Sequence, residues 1–165
     1  MFEGRVVSIF VASKAGALME ARDEVNATPG RGIAGDRYFE GTGFWSNHPG
    51  EGRDITLVEM EAIEGLALEK SISLKPAEMR RNLVTRGVPL NHLVGKEFQV
   101  GEVRLMGIRL CEPCHYLEEM TTKGVLAGLI HRGGLRANVL TSGIVRVGDS
   151  VTEVVKTEEL EPAKR

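Results

Sequence analysis

Glycine punctuates this chain: twenty of its 165 residues are glycine, scattered mostly one at a time between short runs rich in β-branched residues. That pattern suits many short strands joined by turns. Strands are expected over Gly4 to Ala12, Asp54 to Val58, Leu83 to Thr85, Glu97 to Val100 and from Val103, the last two flanking a Gly101-Glu102 turn. A second hairpin is expected from Arg136–Leu140 and Ile144–Val147 about Ser142-Gly143. A turn at Gly148-Asp149 then leads into Ser150 to Val155, and Gly107 marks a bulge. Three helical pieces interrupt the strands. Glu59 to Lys70 places Met60, Ile63 and Ala67 on one face; Pro76 opens a short helical turn; Gly124 to His131 is a short apolar helix. Residues 13–25 show no clear period. The fold class expected is mainly β with a few helices (α+β), a barrel or sandwich decorated with helices and not a βαβ fold.

Length and composition suit one domain over 1–155 with a charged tail over 156–165. A net charge of −2 argues against a duplex-nucleic-acid binder. Val6–Ala12 comes after Arg5 as a signal core would, but Glu3 precedes it and Lys14 interrupts it, so a strand is the better reading. Nothing approaches the length of an apolar membrane span. Two cysteines make no disulfide framework, and a reducing cytoplasmic setting is the default.

Both cysteines lie in Cys111-Glu112-Pro113-Cys114-His115, at the end of a strand. The residues leave four readings open: a structural zinc site needing further ligands, a dithiol–disulfide pair, inert buried thiols, or one reactive thiolate that binds a soft metal or carries sulfur. If Pro113 occupies the first turn of a helix through Met120, Cys114 sits among unpaired backbone N–H groups that stabilise a thiolate. Arg104, Arg109 and the Arg80-Arg81 pair are candidate cations beside it. His131 and His92 have no partner discernible from spacing.

Arginine recurs beside glycine. Gly30-Arg31-Gly32-Ile33-Ala34-Gly35-Asp36-Arg37 is a glycine-rich loop between cations, but neither a Walker loop nor a dinucleotide fingerprint. Arg132-Gly133-Gly134-Leu135-Arg136 sets two guanidinium forks around backbone donors, an arrangement that suits phosphate or carboxylate as well as a solvated turn. Arg80 and Asn82, two apart, would point the same way on an extended segment. Residues 40–53, with the only tryptophan, form a long loop or lid.

In order, GIAGDRY (32–38), RRNLVTRGV (80–88), LVGKEFQVGEV (93–103), CEPC (111–114) and RGGLRANVLTSGIVRVGDSV (132–151) resemble the MOSC domain, the module named for the C-terminal part of molybdenum-cofactor sulfurases. The resemblance spans roughly residues 5 to 152 and suggests a stand-alone member without the N-terminal β-domain of the larger reductases. It implies a β-barrel of the pyruvate-kinase barrel type. It also implies a pivotal cysteine that carries sulfur or binds the molybdenum of a pterin cofactor, which in reductase members serves the reduction of N-hydroxylated bases and amidoximes. Pyridoxal phosphate binding is associated with the family at large. Members reading Arg-x-Pro-Cys imply Cys114 as the catalytic and metal-binding thiol; those reading Arg-Cys-x-x-Thr-Thr imply Cys111. Leu110 stands where the latter have arginine. Cofactor contacts are implied at Arg80, Asn82, Gly35, Asp36, Arg37, Arg132, Gly133 and Gly134, and Arg136 joins them as the second guanidinium beside the glycine pair. A sulfur donor or an electron-transfer protein is the implied partner. A non-catalytic binding module, its CxxC holding zinc or packing as structural thiols, is the alternative.

Overall fold

Seven strands close into a mixed barrel in the computed structural model, which describes residues 1–48 and 50–155. The tail over 156–165 lies outside the described residues. In chain order the strands are β1 (Glu3–Val11), β2 (Glu20–Arg22), β3 (Glu24–Thr28), β4 (Gly32–Ile33), β5 (Ile55–Glu59), β6 (Leu83–Arg86), β7 (Glu97–Val100), β8 (Val103–Leu110), β9 (Leu135–Val139), β10 (Gly143–Arg146) and β11 (Ser150–Glu153). Helices α1 (Met60–Lys70), α2 (His115–Met120) and α3 (Val125–Gly128) complete the described elements with two 3-10 turns, at Pro76–Met79 and Leu90–Leu93. The barrel order is β11-β7-β8-β9-β5-β6-β1, and β1 closes it on β11 through Glu3↔Thr152 and Gly4↔Val151.

Only β5 and β6 run parallel among the barrel pairs. A parallel pair needs a crossover, and α1 with the Pro76–Met79 turn supplies it. Alternation along these two strands then feeds two layers at once. Leu57 and Leu83 enter the barrel interior, whereas Val58 and Val84 face Ile63, Leu66, Leu117, Val125 and Leu129 of the helix layer. Strands buried on both faces read as continuous apolar runs for this reason. Helix α1 buries Ala62, Ile63 and Leu66, a face rotated slightly from the one expected, with Met60 half-buried.

The β7–β8 hairpin forms as expected, Val100 pairing Val103 across Gly101-Glu102. The bulge also forms, the β8–β9 register shifting between Gly107 and Arg109. A side chain at Gly107 would overlap the Leu93 carbonyl, so that close approach requires glycine.

The expected second hairpin does not form. Both edges of β9 are taken, by β8 on one side and β5 on the other, so β10 has no free edge to pair with there. It crosses instead to β3, Val145 opposite Val25, in a separate three-stranded sheet with β4. Val25, Ala27, Ile33 and Val145 of that sheet join the barrel core. The unassigned stretch 13–25 contributes β2 and the start of β3.

Candidate site around Cys114

The cysteine segment leaves the end of β8 still tied to the barrel: the Cys111 N–H donates to the Gly134 carbonyl at 2.7 Å. Cys111 is 2% exposed, whereas Cys114 is exposed. The next helix begins later than expected. Cys114 is the extended N-cap of α2 (φ −132°), Pro113 lies outside the helix, and the thiol makes no capping bond. With six residues, α2 is a short helix, and exposure, not a buried helix end, distinguishes Cys114.

Cys114 sits where two cavities meet. A small one of about 90 Å3 is bordered by Arg37, Arg80, Arg81, Arg136 and the aromatic rings of Tyr38, Phe44, Trp45 and Tyr116. A larger open groove of about 400 Å3 is bordered by Arg53, Arg81, Arg109, Arg136, Glu112 and both cysteines. Trp45, Arg81, Cys114 and Arg136 border both. Phe44 and Trp45 come from the 40–53 loop, the expected lid, and Phe44 meets Tyr116 edge-on at 5.0 Å between centroids.

Backbone carbonyls, more than acids, orient the cations. Arg80 donates to the Ala17 carbonyl (2.7 Å) and Arg109 to that of Glu51 (2.7 Å). Arg81 donates through Nε to the Gly133 carbonyl (2.9 Å) and through Nη2 to the Cys111 carbonyl (3.2 Å). Arg37 pairs with buried Asp36 (3.1 Å) and reaches the Arg80 carbonyl (3.4 Å). Burial, and then the neighbouring Arg37, hold the Arg80 guanidinium below the usual arginine range. Arg109 and Arg136 are direct partners across β8 and β9, and like charges so placed repel. A cationic concavity of this kind favours an anion.

The fold thus brings together Arg37, Arg80, Arg136, Cys114 and, at the groove wall, Cys111. Other expected site residues serve differently. Arg132 turns away and pairs with Glu69 of α1 (3.1 Å). Asn82 points into the core, its amide donating to the Phe10 carbonyl and its oxygen accepting from the N–H and hydroxyl of Thr56. Asp36 accepts from Ala12 N–H (3.1 Å) and holds Arg37, with Gly35 at φ +87° in the turn before it. Gly133 and Gly134 back the cysteine segment; a side chain at Gly133 would overlap the Cys111 carbonyl. Arg104 pairs with Glu97 (3.6 Å) and not with the thiols. Arg81 and Arg109 were expected near the cysteines and are there; the aromatic wall had only the lid tryptophan to announce it. The zinc reading gains no ligand set, because among the described residues no three His, Cys, Asp or Glu side chains converge. No helix among them is long and apolar enough to cross a membrane.

The barrel is similar in fold to YuaD protein from Bacillus subtilis: TM-score 0.77 at 18% identity, covering 92% of this chain and 97% of that one. It is also similar to YiiM from Geobacillus stearothermophilus (TM-score 0.70, 14% identity, 92% and 75% covered) and to YiiM from Escherichia coli (TM-score 0.63, 18% identity, 94% and 72% covered). No curated protein matches the chain in sequence. The family model of the MOSC domain matches residues 46–152, well over half of the chain, leaving the Gly35-Asp36-Arg37 element upstream of the matched range. By that match the chain belongs to the MOSC domain family.

Proposed function

We propose that this MOSC domain holds the molybdenum cofactor through the thiolate of Cys114. The observation that carries the reading is the position of an exposed thiol at the junction of two arginine-lined cavities, where Arg109 and Arg136 oppose each other across neighbouring strands. The donor set fits such a group. A soft thiolate suits molybdenum, and guanidinium forks suit the phosphate of a pterin. Arg81, Arg109 and Arg136 would hold the anionic end along the groove. Arg37 and Arg80, fixed by Asp36 and by backbone carbonyls, extend the positive field into the small cavity. Phe44, Trp45 and Tyr116 wall that cavity beside the thiol. When bound, the metal centre would supply the two-electron chemistry by which N-hydroxylated compounds are reduced.

Of the two cysteines, Cys111 fits a packing thiol and Cys114 a working one, because only Cys114 is exposed. The test is metal and pterin analysis of the chain expressed with cofactor biosynthesis intact. Molybdenum that Cys114→Ser removes is the expected result. Molybdenum absent from both proteins contradicts the cofactor reading, and sulfane sulfur on Cys114 would then support sulfur carriage by the same thiol.

A further inference from the structure

The middle of the cysteine segment makes a contact that the cofactor reading does not use. The Glu112 carboxylate reaches residue 131 twice: Oε1 accepts the backbone N–H and Oε2 meets ring Nδ1, each at 2.8 Å. His131 is one of three non-glycine residues with positive φ among the described residues, at +62°. A side chain in that conformation is held there by its surroundings. Here Glu112 grips it from one side, and Asn91 Nδ2 donates to its carbonyl at 2.7 Å from the other. The turn so fixed delivers Gly133 and Gly134 against the cysteine segment. Gly133 sits where a side chain would strike the Cys111 carbonyl, and Gly134 accepts the Cys111 N–H. Arg81 then bridges the two pieces through the Gly133 and Cys111 carbonyls.

From this geometry we infer that Glu112 and Arg81 latch the cysteine segment onto the 131–134 turn, and that the latch decides which thiol is chemically available. Closed, it keeps Cys111 in its buried position beside the glycine turn while leaving Cys114 at the cavity junction. In the latch both residues act by positioning, on the thiols through the backbone and through His131; for Arg81 this is in addition to its place along the groove. The inference rests on the reading of Cys114 as the working thiol, but its evidence is thiol access and requires no bound cofactor. Failure of the latch and failure of the cofactor reading are therefore separate results.

The test uses the full chain in a Cys114→Ser background, which leaves Cys111 as the single thiol, and tracks iodoacetamide labelling by intact mass under native conditions. Three proteins are compared with that parent, carrying Glu112→Ala, Arg81→Met or Val151→Ala. The last is a barrel-core truncation remote from the latch and serves as a control for general loosening. Thermal unfolding is recorded for each. The expected result is a parent that labels only on unfolding, with Cys111 labelling at least ten-fold faster in the Glu112→Ala and Arg81→Met proteins at temperatures well below their transitions. Glu112→Gln, which retains an acceptor for the His131 N–H, should restore most of the protection. Three results would overturn the inference: rapid labelling of the parent, continued protection in both latch variants, or equal exposure in the Val151→Ala control at the same loss of thermal stability.

Discussion

Arg109 and Arg136 stand opposite each other across β8 and β9, one register step beyond the bulge at Gly107, and both border the groove beside Cys114. Two cations in that relation work against the sheet by roughly 0.2–1 kcal/mol. The arrangement is sensible where an anion lies between them. Arg136→Thr should therefore make the ligand-free protein slightly more stable while weakening anion binding. Denaturant unfolding with and without inorganic phosphate measures both effects, and a variant less stable but equally responsive to phosphate would contradict the prediction.

Phosphate itself should stabilise the wild-type protein more than chloride does at matched ionic strength. At ten times its dissociation constant a ligand of the native state adds about 1.4 kcal/mol, a shift of a few degrees for a chain of this size. Burial, and next the neighbouring Arg37, hold the Arg80 guanidinium below its usual range, and a bound anion offsets both. Arg80→Met should narrow the difference between the two salts without abolishing it, because Arg81, Arg109 and Arg136 still line the groove. Equal melting curves in phosphate and chloride for the wild type would count against an anion site.

Asn82 is a structural residue by its contacts. Asn82→Ala would leave the Phe10 carbonyl and the Thr56 N–H without their buried side-chain partner, and each such group costs about 1–3 kcal/mol. A loss of roughly 2–6 kcal/mol is predicted in chemical denaturation. Cofactor loading per folded chain should be unchanged. Full stability with lost loading would restore Asn82 to the ligand-contacting role its family motif implies.

Asp36 holds Arg37 from inside. It is 1% exposed and accepts the Ala12 N–H as well as the guanidinium. Removing one partner of a buried pair typically costs about 3–5 kcal/mol, and Asp36→Ala should fall near the lower end because Arg37 keeps its bond to the Arg80 carbonyl. Asp36→Asn, which can still accept the Ala12 N–H, should cost less. Urea midpoints of the two variants decide this, and equal midpoints would refute it.

Glu59, at the junction of β5 and α1, has its carboxyl raised above the usual range, first by burial and next by Glu61. A carboxyl raised in the folded state weakens the fold above its folded pKa. It has no such effect below the unfolded value, where it is protonated in both states. Glu59→Gln should thus stabilise the protein at pH 7–8, with the gain fading as the pH falls towards 4. A gain that grows on acidification would have the wrong sign.

What was legible in the sequence was local. Val100-Gly101-Glu102-Val103 declares a hairpin because turn and alternation lie within a few residues, and Pro76 with Glu78 declares a helical turn for the same reason. The partner of β10 was not legible: nothing near Gly143–Arg146 shows that β9 has no free edge or that Glu24–Thr28 lies waiting. The expectation that Arg80 and Asn82 face one ligand failed on a single dihedral. Arg80 has φ +57°, so the segment is not extended there and the alternation rule does not apply. Arg132 looked as good as Arg81 on composition. Only the fold shows that Glu69 takes the first and that two distant carbonyls take the second.

The central claim is that Cys114, and not Cys111, is the working thiol of this MOSC domain. Molybdenum and pterin per chain, measured side by side on freshly purified wild type, Cys111→Ser and Cys114→Ser, test it most directly. The account predicts metal in the wild type and in Cys111→Ser, and its loss in Cys114→Ser with folding intact. Metal lost from Cys111→Ser alone, or retained equally in all three proteins, would contradict it.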